Sequence, residues 1–258
     1  MLRIVVSVFG VAQLHDVVYM VGSSSIVRFN ATTHQRLTDI NVKDLSEPYD
    51  IAACQQTSQL YIADYDGKCI WRVSADGADI KRWWSVSESD TFIPWSLSVT
   101  STRLLVTSCD ADQLMQLDAD GNELRRVQLP RDMNPSHAVE SLTGTFIVSH
   151  ANPLLEDHGQ VSEVNTRGEV LHEFCGSRPP SLGYAGHVAV DSHGNIFVAD
   201  GDNRGLLLLD AQLKLRRVII DEHQLNDKEP HRLCYMERTG QLLVGLWESV
   251  AVFDVLRR

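Results

Sequence analysis

The sequence predicts an all-β fold made of repeated units of short strands. One unit is clearest at residues 59–77, where two apolar runs flank the acidic loop 64–68 and a turn follows at Asp76-Gly77. The same order of strand, acidic loop and strand returns at residues 195–209. Two copies of one such unit, far apart in the chain, are typical of a repeat protein.

The spacing of the units predicts their number. The second strands align on six positions that lie 42, 44, 42, 50 and 46 residues apart: Met20, Ile62, Val106, Val148, Val198 and Val244. Six units of about 40–50 residues, each made of short strands, indicate four-stranded blades arranged in a ring. No run of a dozen residues keeps the period of about 3.6 that a helical solenoid needs. We therefore predict a six-bladed β-propeller of antiparallel blades, formed as a single domain over residues 1–258.

The strands of each blade can be assigned in order. The predicted inner strands are 11–14, 51–53, 97–100, 138–141, 187–190 and 233–236. The predicted third strands are 26–29, 69–73, 113–117, 161–164, 206–209 and 250–254. Outer strands are predicted at 80–83, 124–127, 170–174 and 215–219, and their more polar composition suits strands with one exposed edge.

The ring needs a closing strand. The last unit ends after its third strand, whereas the N-terminus carries a spare apolar run at residues 2–6. We expect this run to pair with residues 250–255 and close the ring, because an open blade edge exposes unpaired backbone groups. The alternative is that residues 3–9 form the inner strand of the first blade.

The charge argues against general attraction to polyanions. The chain has 23 Lys and Arg against 34 Asp and Glu, a formal net charge of −11, which disfavours non-specific binding to nucleic acid or anionic membranes. No apolar run reaches the roughly 18 residues of a membrane span, and the apolar N-terminus is short for a signal peptide.

The five cysteines form no CxxC pair and indicate buried thiols in a reducing compartment. We expect a cytoplasmic domain, monomeric when isolated, at the end of a larger protein.

Two stretches resemble NHL repeats. The closer one is residues 187–203, which contain His-Gly-Asn-Ile-Phe-Val-Ala-Asp-Gly-Asp-Asn, and the second joins residues 48–53 to residues 60–64. The resemblance covers nearly the whole chain, although units one, three, four and six are degenerate. It implies a six-bladed propeller similar to the NHL domains of tripartite-motif proteins. It implies no activity, because function depends on sites carried by the fold.

In propellers of this family, the loops that lead into the inner strands share one face with the loops between the second and third strands. We call this the loop face. The resemblance places an acidic group there, with one arginine: Asp64, Asp66, Asp110, Asp112, Asp200, Asp202 and Arg204, beside an insertion at residues 150–158. The candidate ligand-binding residues at the mouths of the inner strands are Tyr49, Asp50, Trp95, Ser96, His137, His187, His231 and Arg232.

Five of these residues share one column, which should line the central channel: Asp50, Ser96, His137, His187 and Arg232. Imidazoles bind divalent metals, and a mixed cluster of this kind suits a small anion. The plainer interpretation is a polar funnel with hydrogen-bonded histidines and an Asp50–Arg232 pair. We assign no catalytic residue, no metal ligand and no cofactor.

The catalytic sets of related propellers are incomplete in this chain. The peptidyl-hydroxyglycine lyases place zinc histidines directly after proline at these mouths, and only Pro230-His231 fits; the matching positions elsewhere are Tyr49, Trp95, Ser136 and Gly186. The converging Glu, Asn and Asp of calcium-dependent lactonase-like propellers cannot be placed. Ser136 and His137 are adjacent in a strand, so their side chains should point to opposite faces and form no dyad.

These observations favour a non-enzymatic interaction module that binds a protein or peptide on the loop face. Tyr49 and Trp95 would either form a recognition patch there or pack under the rim of the loops. RNA binding is a second hypothesis because some NHL domains bind RNA on this face, although acidic loops repel phosphate. A hydrolase or lyase with a metal in the central channel is a third.

Overall fold

The fold is known from a computed structural model, which describes residues 2–3, 7–152, 158–175 and 182–255. These residues form six antiparallel sheets arranged as a propeller, and they contain no helix of the length and apolarity that a membrane span requires. The predicted all-β, six-bladed fold is confirmed.

Each blade runs from an inner strand at the ring axis to an outer strand. The first three blades are β2–β5 (Gly10–Leu14, Val17–Val21, Ser25–Asn30, Ile40–Asn41), β6–β9 (Pro48–Cys54, Gln59–Asp64, Cys69–Ser74, Ile80–Ser85) and β10–β13 (Ser96–Thr100, Arg103–Ser108, Gln113–Leu117, Glu123–Gln128). The fourth and fifth are β14–β17 (Pro135–Glu140, Phe146–Asn152, His158–Val164, Val170–Phe174) and β18–β21 (Ala185–Val190, Ile196–Asp200, Gly205–Leu209, Leu215–Ile220). The sixth joins β22–β24 (Pro230–Met236, Gln241–Leu246, Ser249–Asp254) to β1 (Leu2–Arg3).

The N-terminal strand closes the ring. In the β1–β24 pair, Leu2 lies opposite Val250 and Arg3 lies opposite Ser249. The buried Val8 continues the connection, because its N–H donates to the carbonyl oxygen of Trp247 at 2.9 Å. The predicted closure is therefore confirmed for residues 2 and 3, while residues 4–6 lie outside the described part of the chain. The alternative of an inner strand over residues 3–9 is wrong, since the first inner strand is β2.

The core consists of layers between neighbouring blades. Six buried clusters are described, and each joins side chains of two adjacent blades. Strand β7 shows why its sequence lacks the polar alternation of a half-exposed strand. Leu60 and Ile62 pack toward the first blade, whereas Tyr61 and Ala63 pack toward the third. Successive side chains point to opposite faces of the sheet, and in a propeller both faces of a middle strand are buried.

The structure changes two sequence-based boundaries. Residues 150–158 were expected to form a long loop, but β15 and β16 keep pairing as far as Asn152 opposite His158, which leaves only 153–157 outside the described strands. The first blade has a short outer strand, Ile40–Asn41, that the sequence did not indicate. In both places the strands pair through residues that lack a marked apolar pattern, and the sequence therefore did not predict them as strands.

The Ala-Asp motif at the end of β7 holds two loops of the loop face in place through hydrogen bonds. Asp64 is fully buried, and its carboxylate accepts hydrogen bonds from the backbone N–H groups of Ser46, Glu47 and Gly67 at 2.9–3.2 Å. The indole N–H of Trp71 donates to the same carboxylate at 3.0 Å. One side chain therefore fixes the loop before β6, the loop after β7 and strand β8. Asp64 belongs to the acidic group predicted for the loop face, and its oxygens are used in these internal hydrogen bonds.

The fifth blade repeats this arrangement. The buried Asp200 accepts from the backbone N–H groups of Gly183 and Asn203 and from the side-chain amide of Asn203, at 2.8–3.3 Å. In the third blade Ser108 occupies the aligned position, and its hydroxyl accepts from the N–H of Ile93 at 3.1 Å. The Ala-Asp motif is thus clearest in the second and fifth blades, where its carboxylate accepts hydrogen bonds from the loop before the inner strand and from the loop after the second strand.

Replacing Asp64 with alanine leaves four donors without an acceptor, and three of them belong to buried or half-buried residues, Glu47, Gly67 and Trp71. We expect Asp64→Ala to lower the free energy of unfolding by about 3–5 kcal/mol. The exposed neighbour Asp66 provides the matched control, and Asp66→Ala should change it by less than about 0.5 kcal/mol. Urea unfolding followed by tryptophan fluorescence measures both, and equal midpoints for the two variants would contradict this role of Asp64.

Candidate functional site

Backbone bulges bring four of the predicted column residues to the ring axis. The pairing of the inner strand with the second strand shifts register directly before Asp50, His137, His187 and Arg232. A bulge turns a side chain out of the regular alternation. Four of the six blades therefore each present one polar side chain toward the same central point. Ser96, the fifth member of the column, is buried at the start of β10, which pairs with β11 without a register shift.

Asp50 is the buried anion of this cluster. Its carboxylate accepts from the backbone N–H of Leu97 and of Ile51, both at 2.9 Å, and lies 3.7 Å from Nε of Arg232. The first blade packs closely against Asp50 because Gly10 has no side chain. A Cβ on Gly10 would lie 2.9 Å from the Asp50 carboxylate oxygen. Burial raises the pKa of Asp50, and the Arg232 guanidinium opposes that rise.

Arg232 also joins the blades through backbone oxygens. Its two terminal nitrogens donate to the carbonyl oxygens of His231 and Tyr49, each at 2.8 Å. The guanidinium thus connects the sixth blade to the second across the axis. The pair expected from the sequence, Asp50 with Arg232, is present as an ion pair between a buried carboxylate and a half-buried guanidinium.

His137 and His187 form a stacked imidazole pair. Their ring centroids lie 3.5 Å apart with an angle of 19° between the planes. Nδ1 of His137 faces the N–H of Val188 at 3.5 Å and Nε2 faces the carbonyl oxygen of Leu97 at 3.2 Å, so the proton belongs on Nε2. Burial lowers the pKa of both histidines well below the usual value, with the partner imidazole acting on His137 and Arg232 acting on His187. Both rings are therefore neutral at pH 7.

The cluster meets the distance requirement for a metal but not the orientation. Asp50, His137 and His187 offer ligand atoms within 4.8 Å of one another. An imidazole binds a metal through a lone pair in the ring plane, and the two stacked planes are nearly parallel, so their lone pairs do not converge. Both nitrogens of His137 also face backbone partners. The arrangement fits a structural polar cluster better than a metal centre.

Two of the predicted residues lie on the loop face as an aromatic cluster. Tyr49 and Trp95 have ring centroids 4.1 Å apart, and Tyr65 joins them at 5.3 and 5.5 Å. All three are half-buried, and the Tyr65 hydroxyl donates to Asp110 at 3.0 Å. Partial burial and the carboxylate of Asp66 raise the pKa of Glu47 beside this cluster. The cluster therefore combines apolar area with negative charge.

A second aromatic group lies at the junction of the ring. Trp247 is 52% exposed and stacks on His231, with ring centroids 4.6 Å apart. Nε2 of His231 bonds the carbonyl oxygen of Val8 at 2.7 Å, so this histidine helps to close the ring instead of joining the central pair. Trp247 lines a groove of about 280 Å³ with Asp227, Lys228, Glu229 and Glu248.

Register analysis of the second strands could have found Trp247. Tyr65-Asp66 and Trp247-Glu248 lie three and four residues after the aligned positions Ile62 and Val244. The fourth position is also acidic and exposed in the third and fifth blades, at Asp110 and Asp202. The sequence-based selection missed Trp247 because it followed the mouths of the inner strands.

Comparisons with known proteins support the fold. No protein-family model matches the sequence, and a search of curated proteins found no match either, so membership of the NHL family stays a prediction. Solved structures do match this chain. One is a putative gluconolactonase, which is 14% identical over 97% of this chain and 89% of its own, with a TM-score of 0.73.

Two further structures differ in function. A catalytically inactive histidine-to-alanine variant of virginiamycin B lyase from Staphylococcus aureus, with quinupristin, is 12% identical over 94% of this chain and 78% of that one, TM-score 0.67. A chain of a nidogen/laminin complex is 18% identical over 86% of this chain and 82% of that one, TM-score 0.65. At these identities the likeness shows the propeller fold alone.

The buried histidines predict a loss of stability in acid. His231 has a pKa lowered to about 4 by burial, so between pH 6.5 and 4 the unfolded state binds a proton that the folded state excludes. This favours unfolding as the pH falls, and His231→Gln should remove about 2–3 kcal/mol of the decrease in unfolding free energy between pH 7 and 4.5. Urea titrations at both pH values measure the difference. The exposed His34 gives the control, and a pH profile that changes as much in His34→Asn would contradict the assignment.

Proposed function

We propose that this protein is an interaction module whose loop face binds a basic segment of a protein partner. The observation that carries the proposal is the combination of aromatic rings and carboxylates on that face. Aromatic anchors supply most of the energy of many interfaces, and opposite charge guides the approach of the partner. A lysine or arginine side chain satisfies both groups, since it bonds carboxylates and binds over aromatic rings.

The acids recur in register around the ring. Asp66, Asp110, Asp202 and Glu248 occupy the same position after the second strand in four different blades, and all four are exposed. Because the blades repeat around one axis, these carboxylates surround the channel mouth on one face. The like charge of Glu47 and Asp66 is compensated when a cation of the partner arrives, which explains why the pair suits a basic ligand.

The groove beside Trp247 offers the clearest single pocket for a basic side chain. The exposed Trp247 lines this groove together with three acidic residues, Asp227, Glu229 and Glu248. The Asp227 carboxylate lies 3.8 Å from the Arg204 guanidinium. Lys228 is the basic residue of this groove, and its ammonium group donates to the Ser249 hydroxyl at 3.3 Å. Tyr184, 42% exposed at the mouth of the fifth blade, adds another aromatic ring to the face.

The other two hypotheses receive less support. The register of exposed carboxylates opposes the phosphate backbone of RNA. The axial imidazoles, stacked and facing backbone atoms, do not present the converging lone pairs that a channel metal needs. The nidogen/laminin complex shows a similar propeller within an assembly of two proteins, which agrees with an interaction role without identifying a partner.

A direct test uses three fluorescein-labelled twelve-residue peptides of the same Gly-Ser frame, carrying six arginines, six glutamines or six glutamates. Only the arginine peptide should bind, and its affinity should fall with salt because the attraction is electrostatic. Trp247→Ala and Asp66→Asn should each weaken binding by about 5–10-fold, as loss of a hot-spot contact or a charge pair does. Fluorescence anisotropy at 50 and 300 mM NaCl measures these affinities.

The control must have the same change in net charge on the opposite face. Asp120 is exposed in the turn between β12 and β13, so Asp120→Asn serves this purpose. If Asp120→Asn and Asp66→Asn weakened binding equally, the attraction would come from net charge and the proposed surface would be wrong. Tighter binding of a labelled poly-uridine oligonucleotide than of the arginine peptide would favour RNA instead.

A further inference from the structure

The groove beside Trp247 contains an exposed aromatic ring that the fold holds in place. We call it the Trp247 groove, and its lining residues are Asp227, Lys228, Glu229, Trp247 and Glu248. Trp247 is 52% exposed, whereas the other four tryptophans are buried or half-buried. Its indole stacks on the His231 imidazole, with ring centroids 4.6 Å apart and an angle of 19° between the planes.

The backbone at the ring closure fixes both members of this stack. Nε2 of His231 donates to the carbonyl oxygen of Val8 at 2.7 Å, and the N–H of Val8 donates to the carbonyl oxygen of Trp247 at 2.9 Å. The exposed indole is therefore ordered before a partner arrives. Ordering a side chain in advance lowers the entropic cost of binding.

The stack leaves one face of the indole for a ligand. His231 covers one face, so the exposed surface of Trp247 lies mainly on the opposite face and at the ring edge. Burial lowers the pKa of His231 to about 4, and its imidazole is therefore neutral at pH 7. A neutral ring behind the indole does not repel a cation in front of it, and indole is the aromatic side chain that attracts cations most strongly.

Two carboxylates in the groove are not used within the protein. Glu229 and Glu248 line the groove, and both residues are exposed. Within the part of the chain that the structure describes, neither carboxylate makes a hydrogen bond or an ion pair. Glu229 precedes β22 and Glu248 lies in the turn between β23 and β24, so two separate segments supply free carboxylates to a ligand in this groove.

The groove remains negative although it contains a lysine. The ammonium group of Lys228 donates to the Ser249 hydroxyl at 3.3 Å, and Asp227 lies beside the Arg204 guanidinium. The segment that carries Asp227 is ordered, because its N–H donates to the carbonyl oxygen of Glu222 at 3.0 Å. Three acids against one lysine therefore favour a cationic occupant.

The size of the groove and the chemistry of its walls distinguish between the two basic side chains. Its volume of about 280 Å³ suits one side chain, since sites for whole small molecules have about 300–1,000 Å³. The lysine ammonium is a compact, strongly hydrated charge. Arginine has a planar, weakly hydrated guanidinium that stacks on aromatic rings and carries five N–H donors. A guanidinium on the indole can donate to Glu229 and Glu248 at once while it covers the ring.

We propose that the Trp247 groove selects arginine over lysine in the basic segment of the partner. The guanidinium stacks on the open face of the Trp247 indole and donates hydrogen bonds to Glu229 and Glu248. This inference rests on the proposed function, because it names the residue that one part of the loop face takes from the partner.

The test compares four fluorescein-labelled peptides of one Gly-Ser frame that carry six arginines, six lysines, six trimethyl-lysines or six citrullines. Citrulline has the planar shape of arginine without its charge. At 150 mM NaCl the arginine peptide should bind about 5–10-fold more tightly than the lysine peptide, since stacking and paired charge-assisted bonds are added to an equal charge. The citrulline peptide should not bind. Fluorescence anisotropy measures all four affinities.

Substitutions in the groove locate the preference. Trp247→Leu removes the aromatic face and should reduce the arginine-to-lysine ratio to about 1–2-fold, whereas Trp247→Phe should keep part of it. Glu229→Gln and Glu248→Gln should each lower the ratio by about 2–3-fold, because arginine loses a directed charge-assisted bond. Glu173→Gln is the matched control and should leave the ratio unchanged, since Glu173 is exposed on the outer strand β17.

The outcomes separate this inference from the proposed function. Equal affinity for the arginine and lysine peptides, with both weakened by Asp66→Asn, would overturn the selection of arginine and leave the proposed function intact. Tightest binding of the trimethyl-lysine peptide, or a ratio that none of the groove variants changes, would also overturn it. No binding of any charged peptide would overturn the proposed function as well. Trp247→Phe and the two glutamine variants keep the inference falsifiable if Trp247→Leu does not fold.

Discussion

The buried carboxylate at the end of a second strand is the interaction on which the loop face depends. Asp64 collects four hydrogen bonds and Asp200 collects three, and each joins the loop before an inner strand to the loop after a second strand. Charge-assisted bonds of this kind are roughly twice as strong as neutral ones. The loops that carry Tyr49, Tyr65 and Tyr184 are therefore held by the blades themselves.

The polar side chains at the axis also find their hydrogen-bond partners within the protein. Asp50 is bonded by two backbone N–H groups and paired with Arg232, which in turn bonds the carbonyl oxygens of two blades. His137 faces backbone groups of the third and fifth blades. These contacts cross from blade to blade, so they fix the ring where its inner strands meet. The polar column predicted from the sequence is present, and its geometry is that of a structural cluster.

The sequence predicted the ring well because burial on both faces leaves a strong pattern. Apolar runs such as Leu60 to Ala63, separated by turn residues, could be aligned over six units. The same signal could not separate a buried Asp64 from an exposed Asp66, since the difference depends on which loops lie near the carboxylate. It also could not show the stacking of His137 on His187, because this depends on bulges and on strands brought together by ring closure. Trp247 lay within reach of the alignment but was not recognised as a site residue.

The loop face, and not the axial cluster, is the surface that we propose receives a basic partner. Hydrogen–deuterium exchange of the whole protein, with and without the arginine peptide, tests this most directly. We expect slower exchange in the loops at residues 46–49, 65–68, 93–95 and 247–248, with no change in the turns of the opposite face. Protection confined to the turns of the opposite face, or no protection at saturating peptide, would contradict it.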